Sequence, residues 1–252
     1  MKEIIISCDD VDKVFVTEGV EHSIIENMNL EIYKGEFTVI MGASGSGKST
    51  LLYLLSGMDS VTRGRVMFEN RDLNEMSKTK TAVFRRDKVG FVFQGINLLG
   101  HLSLLENILV VGYLKKNNKK LVLDRAKELF QSVGLEKEIN KKPSQVSGGQ
   151  AQRAAIVRAL INESEMIFAD EPTGSLNSKS SKEILDILSQ LNEKGQSIIM
   201  VTHDAKAALR AERLLYMSDG KIIGDLYLGK YDKEDSEERE DKLWTFLKER
   251  GW

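Results

Sequence analysis

Lys48 and Ser49 close the run Gly42-Ala43-Ser44-Gly45-Ser46-Gly47-Lys48-Ser49-Thr50, whose spacing is the phosphate-binding pattern GxxxxGK[ST]. Gly42, Gly45 and Gly47 let the backbone bend until successive N–H groups point inward, and a following helix adds its positive end. Lys48 is placed for β- and γ-phosphates, and the Ser49 hydroxyl for Mg²⁺. Asp170 and Glu171 end the apolar run Met166-Ile167-Phe168-Ala169. An Asp there can hold Mg²⁺ through its water shell, and the next Glu can take a proton from an attacking water, although strand ends also carry ordinary surface acids. Ser147-Gly148-Gly149-Gln150 opens a second helical stretch. It offers a hydroxyl and backbone donors at a positive helix end, a second anion device that an ordinary N-cap would resemble.

The elements around these residues follow from periodicity. Phe37 to Met41 is a β-branched apolar run and Leu51 to Leu55 a leucine-rich one, so the glycine loop has the strand–loop–helix context that phosphate binding requires. Ile4 to Ser7, Val14 to Val16, Met28 to Tyr33 and Arg65 to Phe68 read as strands, and Leu73 to Arg86 as a helix. Gly90 to Phe93 is a short buried strand ending at Gln94, and Ser197 to Thr202 another ending at His203. From about residue 95 to 160 the chain is rich in Leu, Lys and Glu, an inserted helical region with helices over Glu106 to Leu114, Val122 to Val133 and Gln150 to Ile161. Ser180 to Leu191 is amphipathic and stops at Gly195, and Arg213 to Met217 pairs with Lys221 to Ile223 across a turn. In doubly wound α/β sheets ligands sit outside the carboxyl ends of strands. Gly42, Gln94, Asp170 with Glu171, and His203 each follow such an end, which favours one shared site over a lone surface histidine.

Bulk composition narrows the classes. Lys plus Arg is 36 and Asp plus Glu 38 in 252 residues, a net charge of −2 that gives no electrostatic case for nucleic acid. The single cysteine, Cys8, excludes an internal disulfide and reads as inert. No run approaches the ~18 apolar residues of a membrane helix, so the chain is expected to be cytoplasmic unless a partner holds it on a membrane. Lys115, Lys116, Lys119 and Lys120 cluster, and Asp232 to Asp241 is acidic; both read as solvated surface. Leu243, Trp244, Phe246 and Leu247 fall at helical spacing, an amphipathic helix docked on its own domain.

Together these residues resemble the nucleotide-binding subunit of ATP-binding cassette (ABC) transporters, from about Ile4 to Asp225. Gly42 to Ser49 matches the Walker A loop, Gln94 the Q-loop, Val146 to Gln150 the signature, Met166 to Glu171 the Walker B strand, and His203 the switch histidine. FADEPTGSLNSKS and IIMVTHD look closest to the macrolide-export and lipoprotein-release group, and within it to bacitracin-type antimicrobial-peptide transporters.

The resemblance implies a P-loop α/β cassette with a mixed, largely parallel core sheet, an N-terminal antiparallel β region and the helical insertion. The nucleotide-binding domain would span 1–230, with an acidic stretch and short helix over 231–252. It implies ATP and Mg²⁺ as cofactors, with Phe15 against adenine; by its residues alone Phe15 is a plain core aromatic. Gly42, Ala43, Ser44, Gly45, Ser46, Gly47, Lys48, Ser49 and Thr50 would hold the nucleotide, and Ser49, Gln94 and Asp170 the metal. Glu171 would be the base, with Gln94 and His203 sensing or holding the γ-phosphate. Ser147, Gly148, Gly149 and Gln150 would reach ATP from a second copy in a homodimer, which would energise a separate permease at the inner face of the membrane. The signature begins with Val146 where Leu is usual, the loop after Walker B ends in Asn177 where Asp is usual, and Ala151 stands where a polar residue is commoner. A soluble cassette serving iron–sulfur assembly or DNA repair is the alternative. A small-molecule kinase would leave the SGGQ helix and His203 unexplained.

Overall fold

The computed structural model describes residues 2–116, 118–232 and 236–252; part of the acidic stretch, 233–235, lies outside the described residues. A six-stranded sheet carries the core, in the order β10-β9-β3-β8-β7-β6. β3 (Phe37–Met41), β7 (Met166–Asp170) and β8 (Ser197–Thr202) are buried along their whole lengths. Continuous apolar runs suit strands covered on both faces, as parallel strands are. β6 (Val89–Val92) pairs parallel with β7, β7 with β8, and β3 with both β8 and β9 (Arg213–Ser218). The carboxyl ends of these strands therefore lie along one edge of the sheet. β10 (Lys221–Tyr227) folds back antiparallel on β9 and makes the sheet mixed.

The second sheet runs β2-β1-β4-β5 and is antiparallel. Three short pieces are expected here, but β1 (Ile4–Thr17) and β2 (Val20–Tyr33) are continuous strands of 14 residues each, joined in one long hairpin. Register shifts between Cys8 and Val11 and between Lys13 and Val14 explain the difference. Each bulge resets the inward–outward alternation, so the sequence pattern breaks where the strand does not. β4 (Arg63–Phe68) and β5 (Arg71–Asp72) complete the sheet.

The first helix, α1 (Lys48–Leu55), lies between the two sheets, with Leu51, Leu52, Leu54 and Leu55 packed among Ile5, Ile25, Ile40, Phe168 and Met217. It fixes the depth of the glycine loop. α2 (Lys78–Lys88) starts five residues later than Leu73. The Leu73 N–H donates to the Val66 carbonyl at 2.9 Å, closing the β4–β5 turn, and Ser77 caps the helix by accepting from the Lys80 N–H.

α3 (Leu104–Lys115), α4 (Lys119–Ser132) and α5 (Gly148–Leu160) share a core of their own, built on Leu104, Ile108, Val122, Ala126, Phe130, Ala154 and Val157. The lysine cluster is only partly solvated surface. Lys115 donates to the Asn162 carbonyl at 2.5 Å and Lys116 to Glu163 at 3.0 Å, tying the end of α3 to the end of α5.

α6 (Ser178–Glu193) covers the six-stranded sheet, and a single turn, α7 (Ala205–Ala208), follows His203. α8 (Ser236–Lys248) buries Leu243, Phe246 and Leu247 in the same core as Met41, Ala169 and Tyr216. Cys8 is buried, and burial beside Asp9 pushes its thiol up to about 12, so the thiolate that would react is absent at neutral pH.

A candidate ATP site at the strand ends

A cleft of about 470 Å³ opens over the carboxyl ends of β3, β6, β7 and β8. Ser44, Gly45, Gly47, Lys48, Ser49 and Thr50 form one wall, and Gln94, Glu171 and His203 face them from three other strand ends. Two glycines are required by the packing. A Cβ on Gly42 would collide with the Met217 carbonyl, and one on Gly47, at φ 99°, would stand 2.9 Å from the Ile24 carbonyl oxygen. Gly47 is the N-cap of α1 and has no side chain to satisfy the first-turn N–H groups, which leaves them to an anion.

Lys48 is buried; its ammonium donates to the carbonyls of Gly42 at 2.9 Å and Ala43 at 2.7 Å. Burial lowers its pKa, and the nearby Glu171 and Asp170 carboxylates partly offset that. The Ser46 hydroxyl is buried without a partner, an orphaned donor in the wall of the loop that a phosphate oxygen would satisfy.

Asp170, the last residue of β7, holds Ser49 and Tyr53 together. Its Oδ1 accepts from the Ser49 hydroxyl at 2.8 Å and its Oδ2 from the Tyr53 hydroxyl at 2.9 Å. Sequence reasoning missed Tyr53. The available signal was its spacing, since residues four apart share a helix face and Ser49 points at the same carboxylate. Burial, then the bond to Asp170, pushes the Tyr53 phenol up to about 12, so it remains a donor. A Tyr53→Phe variant should raise the Mg²⁺ concentration for half-maximal hydrolysis about tenfold, because a partner that orients a metal-side carboxylate is gone. Metal-free nucleotide affinity should stay the same; a Mg²⁺ titration at fixed ATP reads both, and an unmoved midpoint would remove Tyr53 from that role.

Glu171 follows β7 in a left-handed conformation, φ 44°, and its N–H donates to the Val201 carbonyl at 3.1 Å. Such a conformation costs a non-glycine residue about 1 kcal/mol and is kept where the surroundings enforce it. It turns the side chain into the cleft. The Glu171 carboxylate accepts from the Thr202 hydroxyl at 3.1 Å and meets His203 Nδ1 at 2.8 Å. Thr202 is the second residue that sequence reasoning missed, hidden because a threonine at a strand end is ordinary. The carboxylate is 13% exposed and the imidazole 63%, so His203 stands at the solvent side of the pair.

Gln94 lies one residue beyond Phe93, in an exposed turn. A Cβ on Gly174 would come within 2.9 Å of the Gln94 amide nitrogen, so the loop after Glu171 and the loop of Gln94 touch. The Phe93 carbonyl accepts from Gln152 of α5 at 3.1 Å, which links this turn to the helix that Ser147 begins.

Ser147, Gly148, Gly149 and Gln150 are elsewhere. Ser147 and Gln150 form a capping box on α5 and border a separate depression with Asn177 and Ser180. Gly149 permits α5 to approach α6 closely, since a Cβ there would lie 2.7 Å from the Ser180 hydroxyl. Asn177 caps α6 by accepting from the Ser180 N–H at 2.9 Å, a bond that an aspartate would also make. Phe15 is 42% exposed on β1, opposite His22, with the Lys13 ammonium 4.7 Å from its ring centre. It does not line the cleft; Ile24, on the same hairpin, does.

Among the described residues no group of three or more His, Cys, Asp or Glu side chains is arranged to hold a metal. The Ser49 hydroxyl and Asp170 carboxylate nevertheless fit Mg²⁺, which keeps several waters and takes few protein ligands when phosphate oxygens complete its shell.

A glycine cradle over a helix start, a buried lysine, a hydroxyl–carboxylate pair and a glutamate held by threonine and histidine define a nucleoside-triphosphate-hydrolysing phosphate-loop site. Residues 25–174 match the ABC transporter family. The chain is 44% identical over 218 residues to an uncharacterized ABC transporter ATP-binding protein of Methanocaldococcus jannaschii, covering 86% of this chain and 97% of that protein. It is 42% identical to the lipoprotein-releasing system ATP-binding protein LolD of Aquifex aeolicus, over 81% of this chain and 92% of that one. Against the macrolide export ATP-binding/permease protein MacB of Pasteurella multocida it is 41% identical over 89% of this chain, but spans only 35% of that protein. A dimeric ATP-binding cassette solved in a post-hydrolysis state with ADP and Pi superimposes with a TM-score of 0.83, at 38% identity and over 90% of this chain and 100% of that one. The chain belongs to the ABC transporter ATP-binding family, in the group that holds the macrolide-export and lipoprotein-release cassettes, and is an ATPase.

Proposed function

We propose that the chain works as a homodimer enclosing two ATP, and that it drives a separate membrane permease from the cytoplasmic face. The observation that supports this is the separation within one chain of the two anion devices, the cleft at Lys48 and the Ser147 cap of α5. Head-to-tail two-fold pairing lets a single sequence supply both halves of both sites. No described helix is long and apolar enough to cross a membrane. The nucleotide-binding domain takes in 1–230, with the helical insertion near 95–160, and 231–252 is an appended segment.

In the mechanism, the N–H groups of Ser44 to Thr50 and the Lys48 ammonium bind the phosphates. Ser49 and Asp170 would hold Mg²⁺, which would neutralise charge developing on the transferred phosphoryl group. Glu171 takes the proton of the attacking water at a carboxylate oxygen, while Thr202 and His203 keep that oxygen aimed into the cleft. Gln94 orients the attacking water, and His203 contacts the γ-phosphate. Ser147 to Gln150 of the second copy close the far side, and Phe15 stacks on adenine. Positioning and charge neutralisation are what phosphoryl transfer needs.

Subunit mixing tests the composite site. Lys48→Ala and Ser147→Arg chains should each be nearly inactive alone, and a one-to-one mixture should recover a substantial fraction of turnover, because the mixed dimer contains one intact pair of halves. A mixture as inactive as its components would place the whole site in one chain. Of the cargo classes we assign the antimicrobial-peptide type, whose bacitracin-type transporters are the nearest resemblance within the macrolide-export and lipoprotein-release group that the FADEPTGSLNSKS and IIMVTHD runs match. Deleting the chain should sensitise its host to a bacitracin-type peptide; sensitisation to a macrolide alone would overturn that assignment. Co-purification with a permease in mild detergent separates the transporter reading from a soluble scaffold ATPase.

A further inference from the structure

Beside the cleft at Lys48 lies a groove of about 810 Å³, larger than the 470 Å³ of the cleft itself. Glu171, His203, Gly174, Leu176, Trp244 and Trp252 are among the residues that line it. Both tryptophans are well exposed, at 42% and 41%, although indole is the side chain that most favours burial at contacts. Their exposure does not come from a loosely attached helix. Leu243, Phe246 and Leu247 are in the core, and the buried Arg239 guanidinium donates to the carbonyls of Leu209 at 2.7 Å, Leu228 at 2.9 Å and Gly229 at 2.9 Å, and to that of Ala211. Arg239 thus fastens α8 to the chain that runs on from His203 through α7. The helix holds Trp244 in place in the groove shared with Glu171 and His203, and Trp252, beyond the end of α8, sets its ring edge-on to Tyr216.

We infer that this groove, lined in part by Trp244 and Trp252, is a docking surface for the second copy of the chain. The inference rests on the dimer proposed above and extends its interface beyond the nucleotide to α8, which lies outside the residues matched to the family. Three observations select that occupant. The groove is continuous with Glu171, His203 and the Gly174–Leu176 loop, the face that must meet another copy's Ser147 if the site is composite. Ser178 borders both this groove and the depression beside Ser147, so one partner surface can span the two. Charge also fits: Lys182 and Lys206 line the groove without a described ion-pair partner, whereas α8 exposes Glu237, Glu240 and Asp241, with Glu238 paired to Lys242 on the same helix. Across a two-fold axis, one copy's acidic helix face meets the other's basic rim, and the indoles seal the contact between them.

The two tryptophans are the only ones in the sequence, so intrinsic emission reports this surface alone. In a Glu171→Gln background, which slows hydrolysis, Trp244→Phe and Trp252→Phe chains each leave one reporter. Sedimentation velocity measures assembly on the same samples, with MgATP compared with MgADP. The expected result is an ATP-dependent dimer in which the emission maximum moves to the blue and acrylamide quenching falls about twofold or more. A Trp244→Ser/Trp252→Ser pair should weaken the dimer about tenfold or more, with nucleotide affinity unchanged, as loss of buried anchors at an interface does. Added salt should weaken it further. A dimer that forms with emission and quenching unmoved in both reporters, and with the Ser pair assembling like the parent, overturns the inference and leaves the composite site standing. Protection that appears only on adding the membrane permease assigns the groove to that partner and overturns it too. Absence of any ATP-dependent dimer sinks the composite site and this surface together.

Discussion

Glu171→Gln should bind ATP as tightly as the parent and hydrolyse it about 10²- to 10⁴-fold more slowly, the range that a positioned general base contributes. The substitution changes little but the base. An amide oxygen still accepts from the Thr202 hydroxyl, now 3.1 Å from the carboxylate, and the left-handed backbone that aims the side chain is retained through its bond to Val201. What is lost is an oxygen able to take a proton from water. Phosphate release under single-turnover and steady-state conditions measures the fall, and nucleotide titration measures the retained affinity. Parent-like turnover would remove Glu171 from the base role. A matching loss of ATP affinity would instead make it a binding group.

Lys48→Ala should weaken ATP binding by about 10²-fold or more, since truncating one side of a buried charge pair costs 2–5 kcal/mol. The ammonium is buried and its pKa is lowered chiefly by that burial, so a phosphate brings a counter-charge to a poorly hydrated cation. Lys48→Arg should not restore affinity. The planar guanidinium cannot occupy the space where a compact ammonium donates to the Gly42 and Ala43 carbonyls. Because Lys48 also ties those carbonyls, thermal unfolding of the nucleotide-free variant must accompany the calorimetric titration. A folded variant that binds ATP normally contradicts the phosphate-loop assignment.

The alternatives weighed from sequence separate cleanly at particular residues. His203 read alone is a surface histidine; the structure puts its Nδ1 2.8 Å from Glu171. That contact joins residues 32 positions apart, and only the parallel pairing of β7 with β8, which sets Asp170 beside Val201, brings them together. Ser147 read alone is an N-cap, and it is one, with Gln150 completing the box. A phosphate from a second copy would meet a hydroxyl already oriented at that helix start. Phe15 shows the opposite limit: its place on the β1–β2 hairpin is clear, yet within one chain it does not reach the cleft.

The strand–loop–helix at Gly42, the two carboxylates after β7 and the helix start at Ser147 were legible in the sequence because each is a local device. Turn glycines, a helix end and an apolar run act within a few residues, so their spacing survives in the one-dimensional order. The roles of Tyr53 and Thr202, the true lengths of β1 and β2, and the exposure of Trp244 and Trp252 were decided only by tertiary structure. A hydroxyl becomes an orienting group when sheet pairing delivers a carboxylate to it from 117 residues away, as Asp170 is delivered to Tyr53. No local pattern encodes that distance. The sequence by itself settled which phosphate chemistry this chain carries, and packing settled which neighbours aim it.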